Sequence, residues 1–163
     1  MDKDKKFDVL HLFFGIAGLL VLEGVLLQYL SALDVSESTI LLFSFIGAAM
    51  NMYVAIQAIE KVNRRLPMLV FLFLIILEFI TFFAFEYWYL VLAQPASFPT
   101  VSADMLNLFL HSTMVFVLNP IHLPATPAGN ILLLINTLSS FGIVIFILQN
   151  IWQLHHVRQR EQL

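Results

Sequence analysis

All eight lysines and arginines of this chain fall in three short clusters: Lys3, Lys5 and Lys6; Lys61, Arg64 and Arg65; Arg158 and Arg160. Apolar blocks fill the stretches between them. A helix crossing the hydrocarbon core of a bilayer needs roughly 20 such residues, and these blocks are long enough. The pattern constrains the chain to an all-α membrane protein. Overall, 60% of the residues are hydrophobic and only 12% are charged, against about 25% charged in soluble domains. The 163 residues suit one small membrane domain and leave no room for a soluble catalytic domain.

Four blocks read as transmembrane helices. The first runs from about Val9 to Leu33 and follows a polar start, Met1 to Lys6. It is longer than a signal-peptide core and lacks a small-residue cleavage site, so it reads as a retained helix. Asp34 and Glu37 suggest a capping box opening the second helix, which runs to about Val62. The third starts near Pro67, a first-turn proline, and reaches about Leu92. The fourth opens on Thr126-Pro127 and runs to about Leu154. Between the third and fourth lies a shorter stretch, Ala103 to Leu118, broken by Asn107, His111, Ser112 and Thr113.

Charge sets the orientation. Basic residues mark cytoplasmic loops, and four crossings place all three clusters on that side. Both termini are then cytoplasmic, in what reads as a plasma-membrane protein. A fifth crossing by Ala103–Leu118 would send Arg158 and Arg160 outside. A short re-entrant helix dipping in from the outer face avoids this. Aromatics fit the same layout: Glu86-Tyr-Trp-Tyr89 would end the third helix at the outer interface, where amphipathic rings prefer to sit.

The chain has no cysteine, which excludes disulfides, thiolate metal sites and a cysteine nucleophile. Its net charge of −3 gives no reason to invoke nucleic acid. No nucleophile–base pair, phosphate loop or metal-ligand spacing is present, so the sequence points to no enzyme, no metal and no cofactor. His155-His156 is a poor metal pair, because adjacent residues do not share a helix face. His122, Asn119 and Thr126 cluster near one interface but lack an acid.

A spanning helix, an outer loop, a short re-entrant helix, a loop and an inner helix also make up the pore unit of potassium channels. Residues 66–163 resemble that unit, with residues 1–65 supplying two peripheral helices. The re-entrant stretch ends in Ser112-Thr113-Met-Val-Phe-Val117, where the family reads T-T-V-G-Y-G. Ser139-Ser-Phe-Gly142 is similar to a small-residue stretch of some inner helices. The resemblance implies a filter-equivalent segment at Thr113, Met114, Val115, Phe116 and Val117. It also implies a cavity lined by Asn136, Ser139 and Ser140, with four copies around one pore. The two filter glycines are valines here, Val115 and Val117, and β-branched residues avoid the backbone angles that aim filter carbonyls at an ion. Met114–Val117 is therefore expected to be helical or extended, with packed side chains.

Two carboxyls, Glu23 and Glu78, lie deep within the first and third helices. Ionisable groups at that depth default to an ion path or proton relay. The plainer reading is two buried carboxyls, each hydrogen-bonded to a neighbouring helix, with Glu78 reaching polar atoms such as Asn51. Asn136, Ser139 and Ser140 share a helix face, which serves either a cavity or interhelical hydrogen bonds. Ser44, Ala48, Asn51, Ala55 and Ala58 form a small-residue stripe suited to close helix packing. The function this supports is a channel-like integral membrane protein, a cation channel with poor or no potassium selectivity. The alternatives are a non-conducting scaffold or partner subunit, and a small proton-coupled transporter. The expected partners are the lipid bilayer, further copies in a homo-oligomer, and monovalent cations.

Overall fold

The computed structural model describes the backbone of residues 36–61 and 65–161 and the helical positions 14, 15, 17, 18, 21, 22, 24, 25 and 29; side chains are described for the latter positions and for 36–57 and 69–149. Four long or short helices follow in order: α1 (Glu37–Lys61), α2 (Arg65–Ala93), α3 (Met105–Phe116) and α4 (Pro127–Glu161), with a 3-10 turn at Pro95–Ser97. No strand occurs among the described residues. Within α1, α2 and α4, Glu37–Gln57, Leu69–Ala93 and Pro127–Gln149 are long and apolar enough to cross a membrane. The 12 residues of α3 extend only about 18 Å, short of a core roughly 30 Å thick. Glu23 and Ala58 lie outside the described residues or side chains.

Local chemistry explains the helix ends. Ser36 opens α1: the Thr39 amide donates to the Ser36 carbonyl at 3.0 Å and lies 3.4 Å from its Oγ. Glu37 is the first helical residue; Asp34, the other half of the capping box expected from the sequence, lies outside the described residues. Thr126 opens α4 as expected, its Oγ1 accepting from the Gly129 amide at 3.2 Å, with Pro127 in the first helical position.

α2 is the central helix. Of its membrane-length stretch 56% is buried, against 28% for α1 and 22% for α4. It packs on α1, α3 and α4, and α1 also packs on α4. Its inward face carries Ile75, Phe79, Phe82, Phe83, Tyr87 and Leu90, all nearly or wholly inaccessible. Outward faces are apolar as well. Leu42, Phe45 and Tyr53 on α1 and Leu134, Leu138, Phe141 and Leu148 on α4 are all more than half exposed. In water such faces would drive aggregation; against acyl chains they are at home.

The loops flanking α3 are tied to each other. The Ala125 amide donates to the Ser97 carbonyl at 2.8 Å, and Thr126 Oγ1 donates to Ser97 Oγ at 3.0 Å. Thr100 Oγ1 meets His122 Nδ1 at 3.0 Å. The end of α2 and the start of α4 are thus joined at one end of the bundle.

Candidate functional site: three buried polar groups

The sequence-predicted residues do not converge on one centre. They fall into three groups, each at a different helix contact.

The first is the C-terminus of α3. Thr113 to Phe116 form its last turn and Val117 caps it. The carbonyls of Thr113, Met114 and Val115 accept from the amides of Val117 at 3.2 Å, Asn119 at 2.8 Å and Leu118 at 2.8 Å. The last two make a Schellman closure, with Leu118 at φ 62° where glycine is usual. Val115 is fully buried, whereas Val117 is 60% exposed. Thr113 Oγ1 turns back to the Phe109 carbonyl at 2.8 Å, and Ser112 Oγ donates across to the Ile80 carbonyl of α2 at 2.9 Å. The segment is helical, one of the two conformations its valines allow.

The second group joins α2, α3 and α4. Asn136 Nδ2 donates to the Tyr87 hydroxyl at 3.2 Å. Ser140 Oγ donates to the Asn136 carbonyl at 2.7 Å. Asn136 and Ser140 are fully buried, and Ser139 is half-buried. Asn136 thus bridges α4 to α2, while Ser140 bonds back within α4. His111 stacks edge-on against Tyr87 and Phe98, with centroids 4.7 and 5.6 Å away, and lies 5.4 Å from the His122 ring. Neither of its ring nitrogens has a hydrogen-bond partner. Burial, and then His122, push the His111 imidazole down to about 4. His122 Nδ1 meets Thr100 Oγ1 at 3.0 Å.

The third group lies in the α1–α2 seam. Ser44 Oγ sits 2.7 Å from Glu86 Oε2 and 2.8 Å from the Ile40 carbonyl. One turn along, Gly47 faces the ring of Phe82 so closely that an added Cβ would overlap it. Another turn along, the same antiparallel register sets Asn51 level with Glu78. Ala55 then packs with Phe71, Leu72 and Ile75. Ser44, Ala48, Asn51 and Ala55 of the predicted stripe are all buried. Glu78 and Asn51 share no hydrogen bond: Asn51 Nδ2 donates to the Gly47 carbonyl at 3.0 Å, while Asn51 Oδ1, Glu78 Oε2 and Glu86 Oε1 have no partner.

Glu86 is a buried acid that sequence reasoning did not single out. It is 1% exposed because α1 packs over it through Ser44. Tyr87 and Tyr89 are buried with it. The signal available was Ser44 in the small-residue stripe, a hydroxyl with no stated partner. Among the described residues no three metal-ligating side chains come together. Comparison with known proteins returned no matching family model, no matching curated protein and no matching solved structure.

Proposed function

We propose that this chain is a channel-like integral membrane protein whose pore-unit-like half does not select potassium, and that it serves as a non-conducting membrane partner. In this reading it crosses the membrane four times, α3 is re-entrant, and both termini are cytoplasmic. The Ser97–Ala125 and Thr100–His122 bonds support the re-entrant course, since they hold the chain before and after α3 at the same end of the bundle.

One observation carries the functional reading. A potassium filter replaces the ion's water with a row of free carbonyls. Here the carbonyls of Thr113, Met114 and Val115 are all taken by the backbone closure of α3. A second observation favours the partner role over a poorly selective channel. The polar face of α4 is spent on Tyr87 and on α4 itself. What α4 offers a neighbouring copy is Leu134, Leu138 and Phe141, a surface for packing rather than for water.

The chain's lack of cysteine makes single-cysteine labelling clean. Cysteines at 100 and 123 are expected to react with membrane-impermeant thiol reagents from outside, and one at 63 from inside. A cysteine at 115 is expected to stay unreactive, since the valine there is enclosed. Labelling of position 123 only from the cytoplasm would refute the re-entrant course. Rapid modification at 115 would show that water reaches the filter-equivalent segment.

A further inference from the structure

The Ser44 hydroxyl faces two oxygen atoms and owns one hydrogen. The Ile40 carbonyl at 2.8 Å can only accept. Glu86 Oε2, at 2.7 Å, can also only accept if the carboxyl is ionised. Both short contacts are satisfied at once only when Glu86 brings a hydrogen of its own. We infer that Glu86 is a proton-binding site: it is carried at neutral pH as a carboxylic acid that donates to Ser44 Oγ, which in turn donates to the Ile40 carbonyl. The proton is thereby the link that joins α2 to α1 at this level.

Charge points the same way. An ionised carboxylate at this depth needs a counter-cation or several donors. The side chain is buried, and its other oxygen, Oε1, has no donor at all. The sequence has no lysine or arginine between Leu66 and Val157. Arg65 lies 21 positions back on α2, about 31 Å along the axis. Lys61 lies 17 positions past Ser44 on α1, about 25 Å away. Among the described side chains, the titratable groups on the packed elements are Glu37 and Tyr53 on α1, Glu78, Tyr87 and Tyr89 on α2, and His111 on α3. None carries a permanent positive charge, and α4 offers no titratable group between Pro127 and Gln149.

The site stands apart from Glu78. The two carboxyls are eight positions apart, about 12 Å along α2. Between them the Phe82 ring is seated on Gly47, which closes the seam. The geometry gives two separate acids, not a relay. This conclusion holds whether or not the chain conducts.

Infrared difference spectroscopy on the full-length protein in lipid tests it. At neutral pH, Glu86→Gln is expected to abolish a protonated-carboxyl C=O band. Glu78→Gln is expected to leave that band in place. Ser44→Ala is expected to shift it to higher frequency without removing it, because the acid loses its acceptor. Gln can still donate to Ser44, so Glu86→Gln is expected to keep the wild-type melting temperature within a few degrees. If that variant does not fold, the Ser44→Ala shift decides on its own. Loss of carboxylate bands in Glu86→Gln, no shift in Ser44→Ala, or a band that responds to sodium or potassium instead of pH would overturn the inference.

Discussion

The end of α3 and the α1–α2 seam make opposite use of polar groups. At the end of α3, where the likeness to a pore unit drew attention, the backbone saturates itself. Three carbonyls meet three amides, and Val115 is packed away. In the seam, away from the filter-equivalent segment, three buried oxygens lack a donor: Asn51 Oδ1, Glu78 Oε2 and Glu86 Oε1. Buried polar groups without partners are costly, so chemistry is to be sought in the seam. A motif-like position is not a site when its hydrogen bonds are already closed.

The largest effect that would break this comparison lies at the plug of the seam. Phe82 is fully buried against Gly47. Phe82→Ala should cost about 3–5 kcal/mol, and Gly47→Ala about 1–3 kcal/mol through overpacking. Reversible unfolding in mixed micelles measures both. A silent Gly47→Ala would show that α1 and α2 do not approach as closely as the ring contact requires.

Next in size is the α2–α4 bond. Tyr87→Phe leaves the buried Asn136 amide without its acceptor and should cost about 1–3 kcal/mol. Ser139→Ala should stay within about 0.5 kcal/mol. Equal losses in the same unfolding assay would mean that the polar face of α4 serves something other than Tyr87.

His111 gives a pH signature. Its folded-state value is pushed from 6.5 down to about 4, so the unfolded chain binds this proton more readily than the folded one. Stability is therefore intact above 6.5 and is lost progressively as pH falls toward 4. Melting temperatures across that window should fall in the wild type. His111→Phe, which keeps the ring packing, should flatten the fall. An unchanged slope would place the acid sensitivity elsewhere.

The smallest expected effect has the opposite sign. Leu118 holds a left-handed conformation, φ 62°, and is half exposed. Leu118→Gly should stabilise by no more than about 1 kcal/mol, the roughly 1–2 kcal/mol of left-handed strain relieved less the roughly 0.4–1 kcal/mol lost to a freer unfolded chain. A loss instead would mean that the leucine side chain contributes a contact worth more than the strain.

Much of this arrangement was legible in the sequence. Apolar block length and basic clusters gave the long helices, Thr126-Pro127 gave the start of α4, and period alone gave the buried stripe at Ser44, Ala48, Asn51 and Ala55. The short stretch Ala103–Leu118 was found with its ends within two residues. Other features were hidden for physical reasons. Ser36 and Glu37 are adjacent polar residues at the start of α1, and which one caps depends on where the first turn closes. Glu86 was read only as part of an aromatic helix end, and what buries it is a contact with Ser44 of α1 that no local pattern encodes. His111 packs edge-on against Tyr87 and Phe98, contacts that no local pattern encodes.

The central claim is that the filter-equivalent segment is a closed helix end and not a cation filter. The most direct test is the current carried by purified protein in planar bilayers under a potassium–sodium gradient. The expected result is no current above that of protein-free bilayers with either ion, and a poorly selective current would refute the non-conducting role while leaving the closed helix end standing. A strongly potassium-selective current from the wild-type chain would contradict the account, because the carbonyls of Thr113, Met114 and Val115 could not then be held in the backbone bonds that close α3.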